Sequence, residues 1–125
     1  MLTKSKAFSS FSVNDLQKAK KFYQEILGLN VVDNPMGLIE LHFEDGSKIL
    51  LYPKPNHTPA TFTVLNFPVT NIEETVEKLT AKGVSFEQYK GDIQTDDKGI
   101  SHGNGGPNIA WFKDPAGNIL SIIEE

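Results

Sequence analysis

Two stretches of this chain follow one pattern, and that repeat limits the fold more than anything else in the sequence. Val13 to Leu29, VNDLQKAKKFYQEILGL, and Val69 to Val84, VTNIEETVEKLTAKGV, each begin with a β-branched residue that ends an apolar run. A polar residue follows, then an acceptor three positions on, then apolar residues at helical spacing, then a glycine. Asn14 and Gln17 stand at the same offset from Thr70 and Glu73 as Leu16 does from Ile72. Such pairs read as capping boxes, in which the first side chain accepts from a free helical N–H and the later one reaches back. Gly28 and Gly83 supply the left-handed residue that ends a helix at little steric cost. The sequence is therefore two copies of one unit.

Each copy alternates into strands around its helix. In Lys6 to Val13, Ala7, Ser9, Phe11 and Val13 share one face, and Phe8, Ser10 and Ser12 the other. The greasier face, with Phe11 and Val13, is placed under the helix. That helix buries Leu16, Ala19, Phe22, Tyr23, Ile26 and Leu27 and leaves its lysines in water. Short strands are predicted over 29–32, 38–43 and, after the Asp45-Gly46 turn, 47–53. The first module, 1–53, thus reads βαβββ. Residues 54–60 are rich in turn formers and form a linker. The second module, 61–125, predicts a strand over 61–69, a helix over 71–82, and strands over 84–89, 109–113 and 119–123. The stretch 91–107 reads as a long loop, either a lid or a mobile connection.

Composition narrows the function. At 125 residues the chain is one domain, able to bury roughly two-thirds of its unfolded surface. Cysteine is absent, which removes disulfides, thiolate nucleophiles and thiolate metal sites. The net charge is −4 and all 12 basic residues are lysine, so no guanidinium fork is available for phosphate or guanine. Nucleic acid is not an expected partner. No apolar run approaches the roughly 20 residues of a membrane span, and no signal-peptide pattern opens the chain, so a soluble, cytoplasmic protein without a membrane partner is expected.

Few clusters carry chemistry. Glu40 and His42 lie two apart on one strand face and are the weak candidates for a catalytic pair, while His57 and His102 fall in loops. No third donor has the spacing to complete a metal shell. Asp92, Asp96 and Asp97 lack the regular spacing and closing Glu of a calcium loop. Gly103 to Gly106 is not followed by the Lys and Ser/Thr of a phosphate loop. Ser10, Ser12 and Ser121 have no His placed beside them by sequence.

The helix segment with its D-L, F-Y and L-G, the paired βαβββ halves, and the C-terminal WFKDPAGNILSIIEE resemble the vicinal oxygen chelate superfamily of glyoxalases, bleomycin resistance proteins and extradiol dioxygenases. The resemblance spans nearly the whole chain. It implies an α+β fold of two βαβββ modules forming a curved mixed sheet around a central cup, and a homodimer. It also implies metal donors at set positions: seven residues before Asp15, at the matching place on the fifth strand, on the fourth strand, and seven residues after Asp114. Those positions hold Phe8, Val64, Leu51 and Ser121. Three cannot coordinate, and a serine hydroxyl is a poor ligand for a divalent ion.

The metal donors of a glyoxalase I or a dioxygenase are thus missing, and neither a metal nor another cofactor is expected. The cup that the resemblance implies is lined by Phe8, Ser10, Leu51, Val64, Asn66, Ser121 and one of the neighbours Trp111 and Phe112, with Trp111 as the candidate ligand contact. Such walls suit a small, partly aromatic molecule. Two other readings stand beside that one. A lyase or isomerase would use Glu40 or His42 as base, with Asn66 and Ser121 polarising a carbonyl; a dimeric accessory domain would have a filled core and no ligand.

Overall fold

A computed structural model describes residues 1–103 and 105–125. Asn104, within the Gly103 to Gly106 run, lies outside the described residues. The chain divides into two compact units, Met1–Thr58 and Pro59–Glu125. The architecture is α+β, with one four-stranded mixed sheet in each unit. No described helix is long and apolar enough to cross a membrane.

The first unit contains β1 (Ser9–Val13), α1 (Leu16–Lys21), β2 (Asn30–Asn34), β3 (Leu38–His42) and β4 (Lys48–Pro53), in the sheet order β1-β4-β3-β2. β1 and β4 are parallel, whereas β2, β3 and β4 form an antiparallel meander. The helix starts one residue later than the capping-box reading places it. Asp15, not Asn14, has the extended backbone of a cap and accepts from Lys18 N–H at 3.1 Å. Past Lys21 the helix widens into a π-type turn over Phe22–Ile26, in which Leu27 N–H reaches back to Phe22 O. The wider turn buries Tyr23 completely, edge-on to Phe22 at 5.3 Å between centroids and 6.5 Å from Phe11. With Val13, Ala19, Ile39, Leu41 and Leu51, Tyr23 forms the unit's core, so Phe11 and Val13 do lie on the helix side.

The second unit contains β5 (Thr63–Val69), α2 (Ile72–Ala81), β6 (Ile100–Ser101), β7 (Ile109–Lys113) and β8 (Ile119–Glu124). Its order, β5-β8-β7-β6, repeats that of the first unit. Here too the cap falls one residue late: Asn71, not Thr70, accepts from Glu74 N–H. Ile72, Val76, Ala110, Phe112, Leu120 and Ile122 make the core.

Residues 84–89 do not form the predicted strand. Phe86 makes a single bridge to Phe112, Glu87 N–H donates to Trp111 O, and the rest of the β7 edge is taken by the two residues of β6. Two short pieces share an edge that one strand covers in the first unit. Gly99 allows this, since a Cβ there would lie 2.6 Å from that of Phe86.

Within the long connection, residues 96–102 are tied together by their own hydrogen bonds. Asp96 Oδ1 accepts from Lys98 and Ile100 N–H, and Oδ2 lies 2.8 Å from His102 Nε2. The Asp114-Pro115-Ala116-Gly117-Asn118 turn is similarly self-contained. Buried Asp114 accepts from the N–H groups of Ala116 and Asn118 and from Asn118 Nδ2, while Gly117 takes φ of +85°.

Candidate functional site

In each unit one sheet face lies under the helix and the other, the open face, points away from it, whether or not its side chains reach solvent; register decides which side chain goes where. In the first unit Phe11, Leu51 and Ile39 are neighbours across β1, β4 and β3, and all belong to the helix face. The open face is built from three rows. Ser10, Leu50, Glu40 and Val32 form the first; Lys48, His42 and Asn30 the second, with the ring of Phe8, just before β1, against Lys48; Ser12 beside Tyr52 and Leu38 beside Asn34 continue the face as the third.

This corrects one candidate. Leu51 does not share a surface with Ser10: it is fully buried beneath the helix, and Leu50 occupies the place expected of it. Ser10 lies on the open face beside Leu50, and Phe8, just before β1, is 56% exposed with Lys48 Nζ 5.8 Å from its ring centroid. Glu40 and His42 stand side by side there, Oε1 to Nε2 at 2.7 Å.

Glu40 is the best-supported carboxylate on this face. His42 donates to one oxygen and Asn34 Nδ2 to the other at 2.8 Å; these bonds, with Lys48 nearby, hold its carboxyl below the usual range despite partial burial. Asn34 and Lys48 were missed as partners. Asn34 reads from sequence as a turn former, and only the hairpin register shows that it also faces Glu40.

Ser12 has a partner that sequence order conceals. His57 Nδ1 lies 2.6 Å from its hydroxyl, and Lys54 N–H donates to Val13 O, so the segment after β4 is tied back onto β1.

In the second unit Asn66, Ser121 and Trp111 are register neighbours across β5, β8 and β7. Ser121 is fully buried, and its hydroxyl donates to Asn66 Oδ1 at 2.5 Å. Trp111 lies on the open face and Phe112 in the core; Tyr89 meets the indole edge-on at 5.6 Å between centroids. Val64 is the unpaired, half-buried residue of a bulge between Thr63 and Leu65. A separate concavity of about 610 Å³ opens on the helix side of this unit, with Val76, Val84 and Phe86 among its walls and the Glu77–Lys98 ion pair on its rim. None of the sequence candidates lines it.

The residues present do not fit a divalent metal at the positions the resemblance implies. Phe8, Val64 and either leucine offer only carbon, and the Ser121 hydroxyl is already engaged with Asn66. Among the described residues no three His, Cys, Asp or Glu side chains gather into a metal-holding group.

A pair of βαβββ units with matching strand order and helix-backed mixed sheets defines the glyoxalase-like class. The sequence matches the Glyoxalase/Bleomycin resistance protein/Dioxygenase superfamily over residues 8–122, and the chain belongs to it. Among solved structures it is similar to a superfamily member from Sphaerobacter thermophilus DSM 20745, at 22% identity, TM-score 0.76 and full coverage of both chains. An antibiotic-binding protein from Streptomyces sp. CB03234 aligns at 20% identity and TM-score 0.70, covering 94% of this chain and 92% of that one. A lactoylglutathione lyase from Agrobacterium tumefaciens aligns at 19% identity and TM-score 0.70, covering 98% and 95%. No curated protein matches the sequence.

Proposed function

We propose that this protein binds a small, partly aromatic compound without the help of a metal, and sequesters or carries it rather than transforming it. The observation that carries this reading is the chemistry of the expected metal positions, where carbon side chains and an engaged hydroxyl stand in place of donors. Each unit's open face offers what a ligand needs instead: the first has aromatic surface from Phe8 and Tyr52 with Ser10 and Glu40 as polar groups, and the second has Trp111 with Asn66. An antibiotic-binding protein among the structural neighbours is in keeping with this use of the scaffold. The two units make one domain joined through residues 54–60, and the protein works as a cytoplasmic homodimer.

Melting of metal-stripped protein with nickel, zinc, manganese, iron(II) or cobalt tests the reading. A metal at about a hundredfold over its dissociation constant stabilises a fold by roughly 2.7 kcal/mol, on the order of ten degrees here. No rise is expected. A saturable rise overturns metal independence, and turnover of a hemithioacetal or a catechol overturns the binding role.

The Glu40–His42 pair, 2.7 Å apart, favours a second reading, a metal-free lyase or isomerase in which this pair moves a proton. There, Glu40→Gln and His42→Gln would each abolish turnover and leave the fold intact.

A further inference from the structure

Asn34, Glu40 and His42 form a chain of hydrogen bonds with a fixed direction at every link. It begins in the β2–β3 turn, where Met36 N–H donates to Asn34 Oδ1 at 2.8 Å, so the amide must turn its NH₂ group the other way. That Nδ2 donates to Glu40 Oε2 at 2.8 Å. Glu40 Oε1 meets His42 Nε2 at 2.7 Å, and an ionised carboxylate can only accept, so Nε2 carries the proton. In the neutral imidazole, Nδ1 of His42 is then the lone-pair nitrogen. An imidazole whose tautomer is set by an anchored carboxylate can take a proton at one defined atom.

The surroundings say what would bring that proton. The carboxylate side chain is 14% exposed and the imidazole 38%, so the anchor is covered and its head can be reached. His42 faces the carboxylate of Glu40 on its own strand and the ammonium of Lys48 on β4, while β2 offers only the neutral Asn30 and Asn34. Lys48 in turn sits against the exposed ring of Phe8. A proton acceptor, a cation and an aromatic face therefore follow one another along a single row.

We propose that this row recognises a phenol or an enol, that is, an acidic hydroxyl on an aromatic or unsaturated body. The ligand O–H donates to His42 Nδ1, its oxygen lies toward Lys48, and its ring rests on Phe8. If the proton crosses, the O–H bond breaks, the proton stays on Nδ1, Glu40 balances the imidazolium and Lys48 balances the oxyanion. No metal or redox partner is involved. This inference deepens the binding reading above and rests on it.

The test is calorimetric binding of a panel of phenols, each paired with its methyl ether, to the full chain. Each phenol should bind about tenfold tighter than its ether, the scale of one hydrogen bond to a charged or strongly polarised group. Bound 4-nitrophenol should show its phenolate absorption at a pH where the free compound is still protonated. His42→Phe should erase both effects, and so should His42→Gln, which keeps a polar group at the position in case the phenylalanine variant misfolds. Nitrogen-15 NMR of the imidazole should show the Nε2–H tautomer. Equal affinity for phenols and ethers overturns this inference and leaves the binding reading standing, whereas failure of both series to bind overturns the two together. A proton found on Nδ1 in the neutral, ligand-free protein overturns the inference whatever binds.

Discussion

Replacing Leu51 and Leu50 by alanine, one at a time, tests the register on which the candidate site depends. Leu51 is fully buried between Phe11 and Ile39 on the helix face. Leu→Ala there removes about 2.4 kcal/mol of transfer free energy at roughly 0.8 kcal/mol per carbon, and the residual cavity raises the loss to about 3 kcal/mol. Unfolding entropy near 2.1 cal/mol/K per residue gives roughly 0.26 kcal/mol/K for a chain of this length, so the midpoint should fall by about 11 °C. Leu50 is half-buried on the open face beside Ser10 and Glu40, and its truncation should cost about 1 kcal/mol or less. Thermal unfolding followed by circular dichroism, with urea titration as a check, separates the two. Equal losses, or a larger loss at Leu50, would mean that β4 is displaced by one residue and that Leu51 belongs with Ser10 after all.

Three further outcomes follow from the geometry. Gly99→Ala should destabilise by about 2–4 kcal/mol, because φ of +89° is strained for alanine and the new methyl would meet Phe86 Cβ; Gly91→Ala, with open space around it, is the control and should be near neutral. Glu124 accepts from Ile72 N–H at the start of α2 and from Asn108 Nδ2, which holds its carboxyl below the ordinary value. Its stabilisation is therefore complete above the unfolded-state pKa and is lost as pH falls through the lower folded one, so Glu124→Gln should lower Tm at neutral pH and flatten its fall in acid. Asp114→Ala should destabilise by more than 1 kcal/mol in a urea titration, since three donors in the turn before β8 lose their acceptor.

The strands and helices were legible because each depends on a short-range period, and the alternation in β1, β3 and β7 survives in the burial of Val13, Ile39, Leu41, Ala110 and Phe112. Cap positions were not, because Asn14-Asp15 and Thr70-Asn71 each offer two adjacent capping residues. The choice falls to the backbone, which is extended at Asp15 and Asn71. The 84–89 segment reads as a strand locally, yet its hydrogen bonding depends on where residues 100 and 101 settle, a non-local fact. The open faces divide in the same way. Alternation placed Ser10 with Phe8, and Asn66 apart from Phe67, but the chain Asn34–Glu40–His42 needs a hairpin register, and Ser12–His57 needs a contact between distant residues.

The repeat itself contains the information that would have placed Leu50. Ser10 in the first copy corresponds to Asn66 in the second by the spacing of the two helices, and the parallel neighbours of those residues are Leu50 and Ser121. Carried one strand further, the same correspondence pairs Glu40 with Trp111 on the open face, and Ile39 with Ala110 and Leu41 with Phe112 on the helix face. The helix-face pairs are apolar and buried in both copies, because packing against a helix tolerates little else. The open-face pairs share no chemistry: hydroxyl against amide, leucine against serine, carboxylate against indole. Nothing in building a βαβββ unit requires that divergence. One face presents an ionised carboxylate, an imidazole and an ammonium, and the other an amide–hydroxyl pair beside two aromatic rings, so the two copies share a scaffold and differ in the chemistry that the face away from the helix presents.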